Sequence, residues 1–169
     1  MAPIIYLIRH GEKPAKLADG KDADGLSAKG VERAQGLRKV FGKDSGFDIQ
    51  YIIAEKPKED GARDRPHDTI LPLSQDLGLT PNISISRNDA SDAAEAAKAY
   101  EGWGNVLVCW EHGVLAKIVE HLGVKERVVY PEDRFDIIWE VKKPYHKLIW
   151  VGSEDVPGLD DGENGMNGN

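Results

Sequence analysis

Cysteine is almost missing from this chain, with Cys109 the only one among 169 residues. A lone thiol forms no intrachain bridge, so a disulfide scaffold is excluded and a reducing compartment is expected. Cys109 lies in an apolar run and reads as a small buried hydrophobe. Positive charge is also short: 22 Lys and Arg stand against 29 Asp and Glu, a net charge of -7. A chain this acidic is not built to hold nucleic acid or an anionic membrane. Any phosphate site must then be a local cationic pocket, which favours small anions over polyanions. No apolar run reaches the roughly 20 residues that a membrane span needs. The N-terminus lacks a basic segment followed by a long apolar one, so no targeting peptide is expected and the protein is placed in the cytoplasm.

The remaining composition, 40% apolar and 30% charged, is that of an ordinary globular domain. Strand-like and helix-like stretches alternate along it. Residues 3–9 read as a strand buried on both faces, and 14–25 as a polar loop. Ser27 can cap a helix running to about Gly42, with Val31, Ala34, Leu37, Val40 and Phe41 spaced for one apolar face. A second strand is predicted over 49–54 and a charged loop over 55–61. A helix is predicted from Pro66 to the stop at Gly78, kinked or delayed by Pro72. Residues 82–87 alternate weakly and suggest a short third strand, and 92–100 an alanine-rich helix. A strand over 106–110, a helix over 114–122 and two strands over 136–141 and 147–151 follow. The last connection is too short for a crossover helix, so one of those two strands is expected antiparallel to the rest. This β-α-β alternation predicts a three-layer α/β/α domain around a mostly parallel central sheet, spanning residues 1–152. Residues 153–169, acidic and glycine-rich, are expected to form a disordered tail.

The chemistry gathers at strand ends. In an open α/β sheet, ligands bind in the crevice outside the carboxyl ends of the strands. The first strand delivers Arg9 and His10 there, and Gly11 lets the chain turn sharply. Arg65 follows the second strand at the start of a helix. Glu111 and His112 follow the 106–110 strand, again just before a helix. Helix N-termini at that edge add partial positive charge and free N–H groups. Two arginines and two histidines in one crevice suit a phosphoryl group, whose transfer needs positioning and charge stabilisation above all.

These residues also carry a family resemblance. Leu7-Ile8-Arg9-His10-Gly11-Glu12, then Leu26-Ser27 with Gly30 and Arg33-Ala34, resembles the opening of the histidine phosphatase superfamily in its phosphoglycerate mutase-like branch. Arg65-Pro66-His67-Asp68-Thr69 is similar to that branch's Arg-x-x-x-Thr segment, and residues 106–113 to its second histidine motif. The resemblance implies a phosphatase in which His10 attacks phosphorus and becomes a phosphohistidine that water hydrolyses. Arg9, Arg65 and His112 would bind the three equatorial oxygens, with no metal and no organic cofactor. The substrate would be a small phosphorylated molecule or a phosphoprotein; a phosphomutase and a non-catalytic phosphate-binding module are the alternatives.

Departures from the family pattern leave two assignments open. The serine usual before the second arginine is absent from Ala54-Glu55-Lys56-Pro57, and the loop is long, so Arg63 competes with Arg65 for the phosphate. Only residues 88–92 replace the insertion that carries a carboxylic acid in larger members. Glu111, Asp89 and Asp92 are therefore the candidates for the general acid.

Overall fold

The structure, a computed structural model, describes residues 2–60 and 63–161. Five strands form one sheet in the order β2-β3-β1-β4-β5. The first, β1 (Ile5–Arg9), is buried along its whole length. It pairs in parallel with β3 (Asn105–Trp110), which pairs in parallel with β2 (Ile49–Ala54). On the other side of β1, β4 (Ile137–Val141) runs antiparallel, and β5 (Trp150–Ser153) runs antiparallel to β4. The mixed sheet with a parallel centre is the expected one.

Alternation along β1 divides the core in two. Ile5 and Leu7 face one side with Val106, Val108 and Trp110; Tyr6 and Ile8 face the other with Leu107 and Cys109. The first side is covered by α3 (Ala90–Ala99) and α4 (His112–Leu122), the second by α1 (Ala28–Val40) and α2 (Arg65–Leu77). Ala90, Ala93, Ala94 and Ala97 line the inner face of α3, where their small side chains let the helix lie close to its neighbours. Among the described residues no helix is long and apolar enough to cross a membrane.

Ser27 caps α1 by accepting from the Gly30 amide, as the sequence predicts. The buried face of α1 is rotated from the predicted one. Val31 is exposed, and Arg33 is buried in its place beside Ala34 and Leu37. The cause is three carboxylates: Arg33 donates to Glu12, Glu154 and Asp160 at 2.7–3.0 Å. Pro72 neither delays nor ends α2, which begins at Arg65 and closes on Gly78 in the left-handed region (φ 67).

Residues 82–87 do not form the predicted strand. Asn82 makes one isolated bridge to Ile53, and only the Ile85 carbonyl, accepting from Lys56, extends the contact along the β2 edge. The boundary expected after Gly152 also moves. Ser153 belongs to β5, Glu154 and Val156 are buried, and Asp160 holds Arg33. Acidic composition there marks ligands for a buried arginine rather than a solvated end. The rest of the expected tail, residues 162–169, lies outside the described residues.

Candidate active site

Above the carboxyl ends of β1, β3 and β2 lies a cavity of about 300 Å³ lined by Arg9, His10, Arg65, Glu111 and His112. Each of these sits there for a local reason. Arg9 ends β1 and is buried. Its Nη1 donates to the Glu132 and Arg134 carbonyls, each at 2.7 Å, and its guanidinium stacks on Phe135 at 3.8 Å. These contacts fix a long, flexible side chain before any ligand arrives.

His10 is held by its backbone and its ring. Its amide donates to the Trp110 carbonyl at 3.2 Å. Ring Nδ1 lies 2.8 Å from the Gly11 carbonyl. A carbonyl only accepts, so the proton is on Nδ1 and Nε2 keeps its lone pair in the neutral ring. Burial pushes the His10 pKa down to about 4, helped by the charges of Arg9 and Arg65 and opposed by the Gly11 bond. At neutral pH the ring is an uncharged base, the form that can attack phosphorus.

The turn after His10 is clamped from two sides. The Gly11 amide donates to Thr69 Oγ1 at 2.8 Å, and that hydroxyl donates to the Arg65 carbonyl at 2.6 Å. The Arg-x-x-x-Thr spacing thus puts one helical turn between a pocket arginine and the threonine that holds the histidine's turn. Gly30 meets the loop from α1, where a Cβ would stand 2.5 Å from the Glu12 carbonyl oxygen. Arg65 itself donates to the Gly25 and Ala23 carbonyls, fastening the polar loop over the cavity, and makes no ion pair with Asp64 or Asp68.

His112 opens α4 and Glu111 caps it, accepting from the Gly113 amide at 2.9 Å. His112 Nδ1 lies 3.2 Å from Glu111 Oε1, without the alignment of a hydrogen bond. Partial burial and the nearby Arg9 charge lower the His112 pKa, which also keeps this ring neutral. Glu111 pairs with Arg87 at 3.2 Å. Its burial acts to raise the pKa, but the Gly113 amide and Arg87 outweigh it, and the net shift is downward.

Of the three candidate acids, only Glu111 reaches the cavity, and it is held ionised. Asp89 and Asp92 are exposed, one ahead of α3 and one in its first turn, and neither lines the cavity. Arg63 and Arg65 both line the cavity. Sequence reasoning missed Lys13, Arg87 and Glu55, which also line it. Glu55 carried a signal: it continues β2 by one residue, at the same sheet edge as Arg9 and His112.

The fold has known counterparts. No family model matches the sequence, and no curated protein matches it. Solved structures do. The protein histidine phosphatase SixA, complexed with tungstate, superposes with a TM-score of 0.63 at 17% identity over 89% of this chain and 97% of that one. A mycobacterial glucosyl-3-phosphoglycerate phosphatase gives 0.57 at 14% identity, over 90% and 98% of the two chains. A phosphoglycerate mutase from Bacillus anthracis gives 0.51 at 14% identity, over 90% and 92%. The chain therefore has the phosphoglycerate mutase-like fold, shared by phosphatases and mutases. It is the fold that the motifs around His10 and His112 imply.

Proposed function

We propose that this protein is a histidine phosphatase that hydrolyses a phosphomonoester through a phosphohistidine on His10. The observation that carries the reading is the state of His10: buried, neutral, Nδ1 engaged by Gly11, and placed among Arg9, Arg65 and His112. Nε2 attacks phosphorus in line while these neighbours take the charge that spreads over the equatorial oxygens. Water then attacks the phosphohistidine and releases phosphate. The cationic groups Arg9, Lys13, Arg63, Arg65 and Arg87 outnumber the carboxyls Asp22, Glu55 and Glu111 at this spot, although the chain as a whole carries -7. That local excess selects a compact dianion.

A phosphoprotein is the second substrate class. A surface groove of about 680 Å³ meets the site at His112 and carries Lys117, Lys125 and Arg127 beside Glu120 and Glu126. Room of that kind beyond the phosphate suits an extended ligand. The name of the SixA relative, a protein histidine phosphatase, is compatible with this reading.

The test is phosphate release from a panel of phosphomonoesters and a phosphopeptide, by wild type and by His10→Ala. Release by wild type that vanishes in His10→Ala supports the reading and ranks the substrates. Retained release in His10→Ala removes His10 as nucleophile. Transfer of phosphate from a bisphosphate donor to a second acceptor, in place of release to water, makes the protein a mutase.

A further inference from the structure

We propose that Glu55 is the proton carrier of this site, protonating the leaving oxygen as His10 attacks and taking a proton from the water that follows. The inference rests on the phosphohistidine reading above and supplies the acid that this reading leaves unassigned.

Placement is the first ground. In the sheet, β3 lies between β1 and β2, and Glu55 follows β2 directly. The Glu55 amide donates to the Cys109 carbonyl at 3.3 Å, so the ladder between β2 and β3 continues into this residue. His10 and Glu55 thus flank β3 from opposite sides, about two strand spacings, or roughly 10 Å, apart in the sheet. In-line displacement sets nucleophile and leaving oxygen on opposite sides of phosphorus. A phosphoryl group over the end of β3 would have His10 on one flank and Glu55 on the other.

Environment is the second ground. Glu55 is 1% exposed yet lines the cavity, and its Oε1 is buried with no hydrogen-bond partner among the described residues. Such an atom is costly unless it carries a proton or meets a ligand. The charged groups facing Glu55 are Arg87, Arg63 and Glu111, and the Glu111 amide donates to its carboxyl. Burial outweighs the two arginines and lifts its pKa to about 7, so near neutrality the group both holds and releases a proton. Glu111, by contrast, is fixed as a cap and an ion pair.

The protons balance. In the first step the P–N bond to His10 Nε2 forms, the P–O bond breaks, and the Glu55 proton moves to the departing oxygen, which leaves as an alcohol. In the second step water attacks phosphorus, its proton passes to the Glu55 carboxylate, and the P–N bond breaks to restore neutral His10. Glu55 ends protonated, as it began.

The experiment compares wild type, Glu55→Gln and His10→Ala on 2,4-dinitrophenyl phosphate, phenyl phosphate and an alkyl phosphate, esters with progressively poorer leaving groups. Glu55→Gln is expected to lose about 10²–10⁴-fold in kcat/KM on the alkyl and phenyl esters and to approach wild type on the dinitrophenyl ester. An equal loss on all three overturns the proposal and leaves Glu55 a packing residue. His10→Ala active on any ester overturns the phosphohistidine reading instead, and a wild type inactive on all three overturns both. A pH profile of wild type needs no variant to fold. kcat/KM for the phenyl ester should fall above about pH 7, where Glu55 gives up its proton, while that for the dinitrophenyl ester should not. Coincident profiles overturn the assignment.

Discussion

At the scale of single residues, the site works by fixing protonation states before a ligand binds. His10 is the clearest case, because burial and two arginines lower its pKa to about 4 from 6.5. The folded pKa lies below the unfolded one, so between those values the unfolded chain binds the extra proton. His10 therefore costs stability as pH falls below about 6.5, and its ring stays neutral and nucleophilic down to about pH 4. Labelling the histidines with carbon-13 and following the His10 ring resonance checks this. A midpoint near pH 4 is expected, and one near 6.5 would mean that the ring is solvated. Arg9 makes a second prediction. Lysine in its place keeps the charge but cannot donate from one nitrogen fork to two carbonyls while stacking flat on Phe135. Arg9→Lys is expected to lower kcat on a phosphomonoester by about 10²–10³-fold, the range for removing one preorganised donor from a reacting oxyanion. A loss below tenfold would show that charge alone suffices there.

At the scale of elements, α2 and the turn after β1 form one unit joined by Thr69. The Thr69 hydroxyl is the acceptor for the buried Gly11 amide, and the side chain is fully buried. Thr69→Val keeps the shape and removes that acceptor, leaving a donor unpaired at a cost of about 1–3 kcal/mol. Urea unfolding should show this loss, and Thr69→Ser should recover most of it. If Thr69→Val unfolds at the wild-type midpoint, the hydroxyl does not hold the turn. Such elements were largely legible. β1, β2 and β3 are short apolar runs that the sheet buries on both faces, and the cap at Ser27 and stop at Gly78 follow from side chain and φ. What stayed hidden depends on distant partners. The apolar spacing of α1 leaves Arg33 out of its buried face, and the partners that bury it, Glu154 and Asp160, lie more than 120 positions away. Residues 82–87 have some alternation of a strand, but past Asn82 only one further carbonyl finds the β2 edge. His10, Arg9, Arg65 and His112 were legible because each adjoins a strand end or a helix start. Glu55 also adjoins one, but its meaning comes from its burial and from the arginines around it.

At the scale of the whole molecule, Arg33 ties the C-terminal segment to the loop that carries His10. Glu12, two residues after His10, holds the Arg33 Nε and Nη2 at 2.9 Å, while Glu154 and Asp160 hold the rest of the guanidinium. Removing the arginine would strand three carboxylates, so Arg33→Met is expected to cost about 3–5 kcal/mol. One cation among three carboxylates is not balanced, and Glu154 shows it. Burial, joined by Asp160 and Asp136, raises the Glu154 pKa against the opposing pull of Arg33. A carboxyl whose folded pKa exceeds its unfolded one binds its proton more tightly in the folded chain. Its contribution is full below the ordinary glutamate range and fades as pH rises toward the raised value. Glu154→Gln keeps the shape and the acceptor for Arg33 but has no proton to lose. Thermal unfolding of the two proteins between pH 5 and 8 isolates this group, since other titrations are common to both. The Gln variant should gain on wild type steadily as pH rises. A difference that stays constant would mean that Glu154 is ionised throughout and that the cluster holds its three negative charges on Arg33 alone.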